Sequence, residues 1–105
     1  MDMNGYKSVK AEFEKLATEL TKSGDDLRKV AQAFRDLNQA SNAARTQRDA
    51  AALNLAACAL RMLASDDKCW IEYAENWLES IEYWKDDEAY WNKRDEEKKS
   101  QEMAL

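Results

Sequence analysis

The chain has 105 residues with no histidine, no proline, two glycines and a formal net charge of −5. Lack of histidine removes the commonest general base, the serine and cysteine triads and most catalytic zinc sites. A mildly acidic chain also lacks the concentrated basic face that general nucleic-acid binding needs.

At this length the chain forms one domain, 1–105, and buries about two-thirds of the surface it exposes when unfolded. Ala, Leu, Glu, Lys, Asp and Arg dominate, the composition of long uninterrupted helices, so an all-α fold is expected. No stretch approaches the roughly 20 apolar residues that span a bilayer, and the opening Met1-Asp2-Met3-Asn4-Gly5-Tyr6 lacks the order of a secretory signal. A cytoplasmic location is expected.

The first helix is predicted over about 5–22, because Tyr6, Val9, Phe13, Leu16 and Leu20 repeat at alternating steps of three and four. Ser23-Gly24 reads as its break, and Ser23 followed by Asp25 and Asp26 as a fresh capped start. The second helix is predicted over about 25–64, with Leu27, Val30, Phe34 and Leu37 carrying the seam onward. Between Asn38 and Asp49 every large apolar side chain disappears, which allows either a kink near Asn42 or the close approach of another helix. Leu53, Ala56, Leu60 and Leu63 restore the seam before Ser65-Asp66-Asp67, a second cap-like turn.

The third helix is predicted over about 66–97, with Trp70, Ala74, Trp77, Ile81, Trp84 and Trp91 on its seam and a frayed tail from Asp95. Folding it back about Ser65 sets Trp77 near Leu53 and Asn54, Trp84 near Gln47 and Trp91 near Ala40, so that large rings lie over small residues. The architecture expected is an antiparallel bundle of three long helices, the second continuous or kinked within 38–49, and the competing one is a monomer of four short helices with the second helix broken. The first helix then covers only half of a long second helix. A dimer is expected to close what remains, with Ala43, Ala44 and Ala51 giving close approach. Cys58 and Cys69 flank the turn too far apart to bridge and are expected as a reduced, buried pair.

No metal or cofactor site is expected. Glycine-rich phosphate loops are missing, and Asp86-Asp87-Glu88 has neither the oxygen spacing nor the glycine of a calcium loop. Glu88 is the acid best placed for acid–base work, on the seam between Trp84 and Trp91, but a pairing with an arginine such as Arg45 is the stronger reading. The chain is therefore expected not to be an enzyme.

What remains is recognition. Tyr83 and Tyr90 stand about 100° to one side of the tryptophan seam, and Ile71 and Leu78 a similar angle to the other. One neighbour cannot shelter so wide an arc, so Tyr83, Tyr90 and Trp91 are expected to contact a partner protein. A negative line, with Glu75, Glu79 and Glu82 at its centre, follows the outer face of the same helix. The reading is a non-enzymatic regulator or inhibitor that docks on another protein. Its alternatives are a homo-oligomeric coiled-coil element and an acidic mimic of DNA that blocks a nucleic-acid-binding protein.

Overall fold

The computed structural model describes residues 3–65 and 68–104, with side chains over 9–65 and 68–103. These residues form three helices, α1 (Met3–Asp36), α2 (Ala40–Ser65) and α3 (Cys69–Ala104), and no strand. The side chain of Tyr6 and the expected cap at Asp66-Asp67 lie outside the described residues.

Helix boundaries differ from the sequence reading at the first break. Ser23 and Gly24 lie inside α1, which runs on to Asp36. A glycine within a helix costs only about 1 kcal/mol relative to alanine, and here the missing Cβ is what the packing requires. A Cβ on Gly24 would stand 2.5 Å from Asn54 Nδ2 and 3.2 Å from the Ala50 carbonyl oxygen. The residue that resembles a terminator is a point of helix contact.

The chain turns instead at residues 37–39. Asn38 has φ of 60°, a left-handed conformation that asparagine tolerates better than most residues. The Leu37 N–H donates to Ala33 O (3.1 Å), the Asn38 N–H to Arg35 O (2.9 Å) and the Gln39 N–H to Phe34 O (2.8 Å), so the last carbonyls of α1 are satisfied. The kink expected near 38–49 is thus a complete break at its edge. The long second helix becomes α2, of 26 residues. Residues 95–104, expected to fray, continue α3.

Among the described residues, only α2 brings its backbone close to both other helices. The reason is a set of small side chains at seven-residue spacing. Ala17, Gly24 and Ala31 are buried on α1, and Ala43, Ala50, Ala57 and Ala64 on α2. A second α2 row, Ala44, Ala51 and Cys58, lies about 100° around the helix. It sits toward Ser41 and Arg48, which meet α3 through Asn92 and Glu88. No large side chain is fully buried among the described residues.

This corrects two expectations. The line of contact on α1 is not the row of large residues: Phe13, Leu20, Leu27 and Phe34 straddle its edge half-buried, while Val9, Leu16, Val30 and Leu37 are exposed. Small residues let backbones approach, and the large ones are displaced to the flank. Ala43, Ala44 and Ala51 are consumed by packing within the chain, so they offer no surface to a second copy. The molecule is a rod of 71 × 21 × 19 Å with a radius of gyration of 18.5 Å, against about 13 Å for a compact chain of this length.

Asn54 is the buried polar side chain of this interface, and its amide donates to Ala50 O at 2.9 Å. Held in this way, it cannot yield easily to a new Cβ. Gly24→Ala is expected to lower stability in urea denaturation, an overpacking loss of about 1–3 kcal/mol outweighing a helix-propensity gain of about 1 kcal/mol. In an Asn54→Ala background the same change is expected to be neutral or stabilising, and an equal effect in both backgrounds would show that the two residues do not meet.

Candidate functional site

The four tryptophans recur every seven residues along α3, and all are half-buried. Three carry an arginine from another helix over the ring. Arg61 of α2 stands 5.1 Å from the Trp70 ring centroid, Arg28 of α1 is 5.1 Å from Trp77, and Arg35 of α1 is 5.7 Å from Trp84. Arg61 also donates to Thr21 Oγ1 at 3.2 Å. The backbones of α1 and α3 do not approach each other among the described residues, so these cations bridge the gap. Each such contact is worth about 0.5–2 kcal/mol. Sequence reasoning missed them. Their signal was Arg28 and Arg35, seven apart like Trp77 and Trp84, which has meaning only once α1 and α3 are known to lie side by side.

Near the α1–α2 turn, Trp84 and Trp91 wall an open cleft of about 420 Å³ with a floor of Ala40, Ala43 and Ala44 and with Arg35, Asn38 and Asp87 around it. Trp91 and Ala40, expected to lie near each other, thus line one cleft, and Trp84 lines it with Ala43 and Ala44. Ser41 Oγ donates to Asn92 Oδ1 at 2.6 Å on the same side. Glu88 pairs with Arg48 rather than Arg45: Arg48 Nη1 is 2.8 Å from Glu88 Oε2, an ion pair whose angles miss those of a hydrogen bond. Arg45 lies on an exposed row and donates to Asn42 Oδ1 at 2.6 Å.

Tyr83 and Tyr90 are 62% and 51% exposed. Each is braced edge-on by the tryptophan that follows it. Tyr83 meets Trp84 at 4.8 Å and 86°, and Tyr90 meets Trp91 at 5.0 Å and 82°. Arg94 lies 5.9 Å over the Tyr90 ring. Trp91 is half-buried in the cleft wall, so it belongs to the support of this surface more than to its outer face. Glu75, Glu79 and Glu82 are exposed along α3. Glu79 precedes Tyr83 by four residues and Asp86 precedes Tyr90 by four, so each ring shares a helix face with an acid. Glu75 and Glu82 lie farther around the helix.

Among the described residues no group of three His, Cys, Asp or Glu side chains could hold a metal ion, and no helix is long and apolar enough to cross a membrane. The expected buried cysteine pair is half present: Cys58 is buried, whereas Cys69 is exposed in the first turn of α3. Burial pushes the Cys58 thiol up, opposed by the nearby Arg61 charge. Comparison with protein-family models, curated proteins and solved structures found no match.

Two expectations follow. Arg28→Ala and Arg35→Ala are each expected to lose about 0.5–2 kcal/mol in denaturant unfolding, with lysine recovering part of it; unchanged midpoints would show that the rings need no cation. Cys58 is expected to react with iodoacetamide at mildly alkaline pH only through unfolding, because burial both screens it and disfavours its thiolate. With the folded pKa above the unfolded value near 9.0, its contribution to stability is full below that pH and declines as pH rises past it. Rapid labelling of Cys58 in native protein would contradict this.

Proposed function

We propose that this chain is a non-enzymatic protein-binding module, a regulator or inhibitor that captures a partner protein on the α3 surface around Tyr83 and Tyr90. The observation that carries the reading is the state of those two rings. Both are more than half exposed, yet each is fixed against an indole, so little side-chain freedom is lost when a partner covers them. Tyrosines of this kind concentrate binding energy, and a supporting tryptophan keeps their orientation. Glu79 and Asp86 on the same face orient a partner that carries basic groups beside an apolar contact.

The order of contacts supports an antiparallel arrangement of α2 and α3. Ser41 meets Asn92, Arg48 meets Glu88 and Arg61 meets Trp70. Thr21 with Arg61 and Gly24 with Ala50 and Asn54 argue for the same sense between α1 and α2. In that arrangement α1 and α3 run together and the arginine contacts repeat in step. Dimerisation fits the module as well, but through a face other than the buried alanines.

The test is affinity capture from the host proteome with wild-type chain and with Tyr83→Ala/Tyr90→Ala as baits. A partner retained by wild type is expected to be lost or weakened at least tenfold by the double change, while the helical circular dichroism is kept. Neutralising Glu79 and Asp86 is expected to reduce the association rate and its salt dependence. Undiminished capture by the tyrosine variant would remove this surface from the function.

A further inference from the structure

We infer that the cleft beside the α1–α2 turn is an arginine-recognition site, in which a guanidinium from the captured partner protein lies on Trp91 and pairs with Asp87. The source of that arginine rests on the protein-binding reading. The chemistry of the site rests on the cleft itself.

The tryptophans of α3 and the cations over them form a repeat that stops one member short. Arg61 stands over Trp70, Arg28 over Trp77 and Arg35 over Trp84. Trp91 continues the seven-residue spacing, yet among the described residues no cation lies over its ring. The reason is local. Arg35 belongs to the last turn of α1, which ends at Asp36, and the next position at that spacing, residue 42, falls on α2 beyond the turn. The chain has no arginine to place where the fourth indole needs one.

Charge points to the same kind of occupant. Asp86, Asp87 and Glu88 follow one another on α3, and Glu88 takes Arg48 at 2.8 Å. Asp86 and Asp87 have no ion pair among the described residues. Asp87 is half-buried, and it lines the cleft together with Trp91, four residues on along the same helix face. A carboxylate partly withdrawn from water without a partner is unfavourable, and a cation relieves it. Arg35 also lines the cleft, but its guanidinium is over Trp84, its Nη1 donates to Gln32 Oε1 at 3.0 Å, and it forms no ion pair with Asp87.

Arginine satisfies both requirements at once. Its planar guanidinium stacks on an indole while its N–H fork reaches a carboxylate, whereas the lysine ammonium is a strongly hydrated point charge. The other three tryptophans of α3 are all met by arginine. The cleft, about 420 Å³ and open to solvent, admits a side chain from outside. Tyr90 packs on the Trp91 wall at 5.0 Å, which joins the cleft to the tyrosine surface. A partner laid over the tyrosines therefore has the cleft within reach.

Titration of the full chain with N-acetyl-arginine amide, followed by the nuclear magnetic resonance signals of the four indole N–H groups, tests the site. Trp91, and Trp84 with it, is expected to shift with a Kd on the order of 1–10 mM, while Trp70 and Trp77 stay in place. N-acetyl-citrulline amide, similar in shape but uncharged, is expected to shift none of them, and N-acetyl-lysine amide to bind roughly threefold more weakly than the arginine amide. Asp87→Asn is expected to weaken the arginine amide about tenfold with helical circular dichroism unchanged, and to retain less partner as a capture bait. No shift at Trp91, equal shifts with citrulline, a response spread over all four indoles, or an Asp87→Asn chain that binds and captures as wild type overturns the inference. Because the titration contains no partner, the two readings fail separately. Tyrosine-dependent capture without a shift at Trp91 overturns the cleft and leaves the docking surface standing, whereas a shift at Trp91 without tyrosine-dependent capture supports the cleft and removes the docking surface.

Discussion

The close approach of α2 to α1 on one side and to α3 on the other, along lines of small residues, is the constraint from which the rest of the structure follows. Ala17, Gly24 and Ala31 on α1 and the two alanine rows of α2 occupy the places where a bundle of this size usually puts leucine. Such packing gains its energy from many close backbone contacts rather than from a few large buried groups. Its consequence is geometric. Among the described residues no Phe, Leu or Trp is fully enclosed, and each is pushed to an edge where part of it meets water.

Those edges are then handled in different ways. Along α3 the indoles receive arginines, two of them from α1, so that planar cations fill a gap that the backbones do not close. The tyrosines beside them have the indole edge on one side and water on the other. Along α1 the displaced row is left exposed by the described residues, Val9 to 50%, Leu16 to 46% and Val30 to 44%. The same cause therefore produces two unlike surfaces on one rod, an aromatic one with acids beside it on α3 and an aliphatic one on α1.

How much of this could be read beforehand depended on which residues spoke for themselves. All-helical character, the tryptophan seam, the exposed tyrosines and the placing of rings over the small stretch after Asn38 follow from composition and spacing. The two turn residues were misread for opposite reasons. Gly24 resembles a terminator, and only the position of Asn54 and Ala50 on another helix reveals that it is a contact. Asn38 closes α1 with one left-handed residue, and in a sequence it is one polar residue among many between Asn38 and Asp49. Periodicity located the apolar arc of α1 but not its centre, because hydrophobicity scales weigh large residues most and the helices touch along the small ones. The arginine partners of the rings, too, became visible only with all three helices in register.

A thin core also bears on why the exposed rows persist. Apolar area removed from water contributes about 25 cal/mol per Å², and a rod held together by alanines gains comparatively little of it within one copy. Apolar area that the folded chain leaves in water adds nothing to this sum, and anything that binds only the folded chain adds to its stability. The tyrosines of α3 stand outside the alanine lines, and both rings are more than half exposed. In this arrangement the alanine lines decide where the large side chains go: by keeping them out of the interior, they leave an aliphatic row along α1 and an aromatic edge along α3 in contact with water.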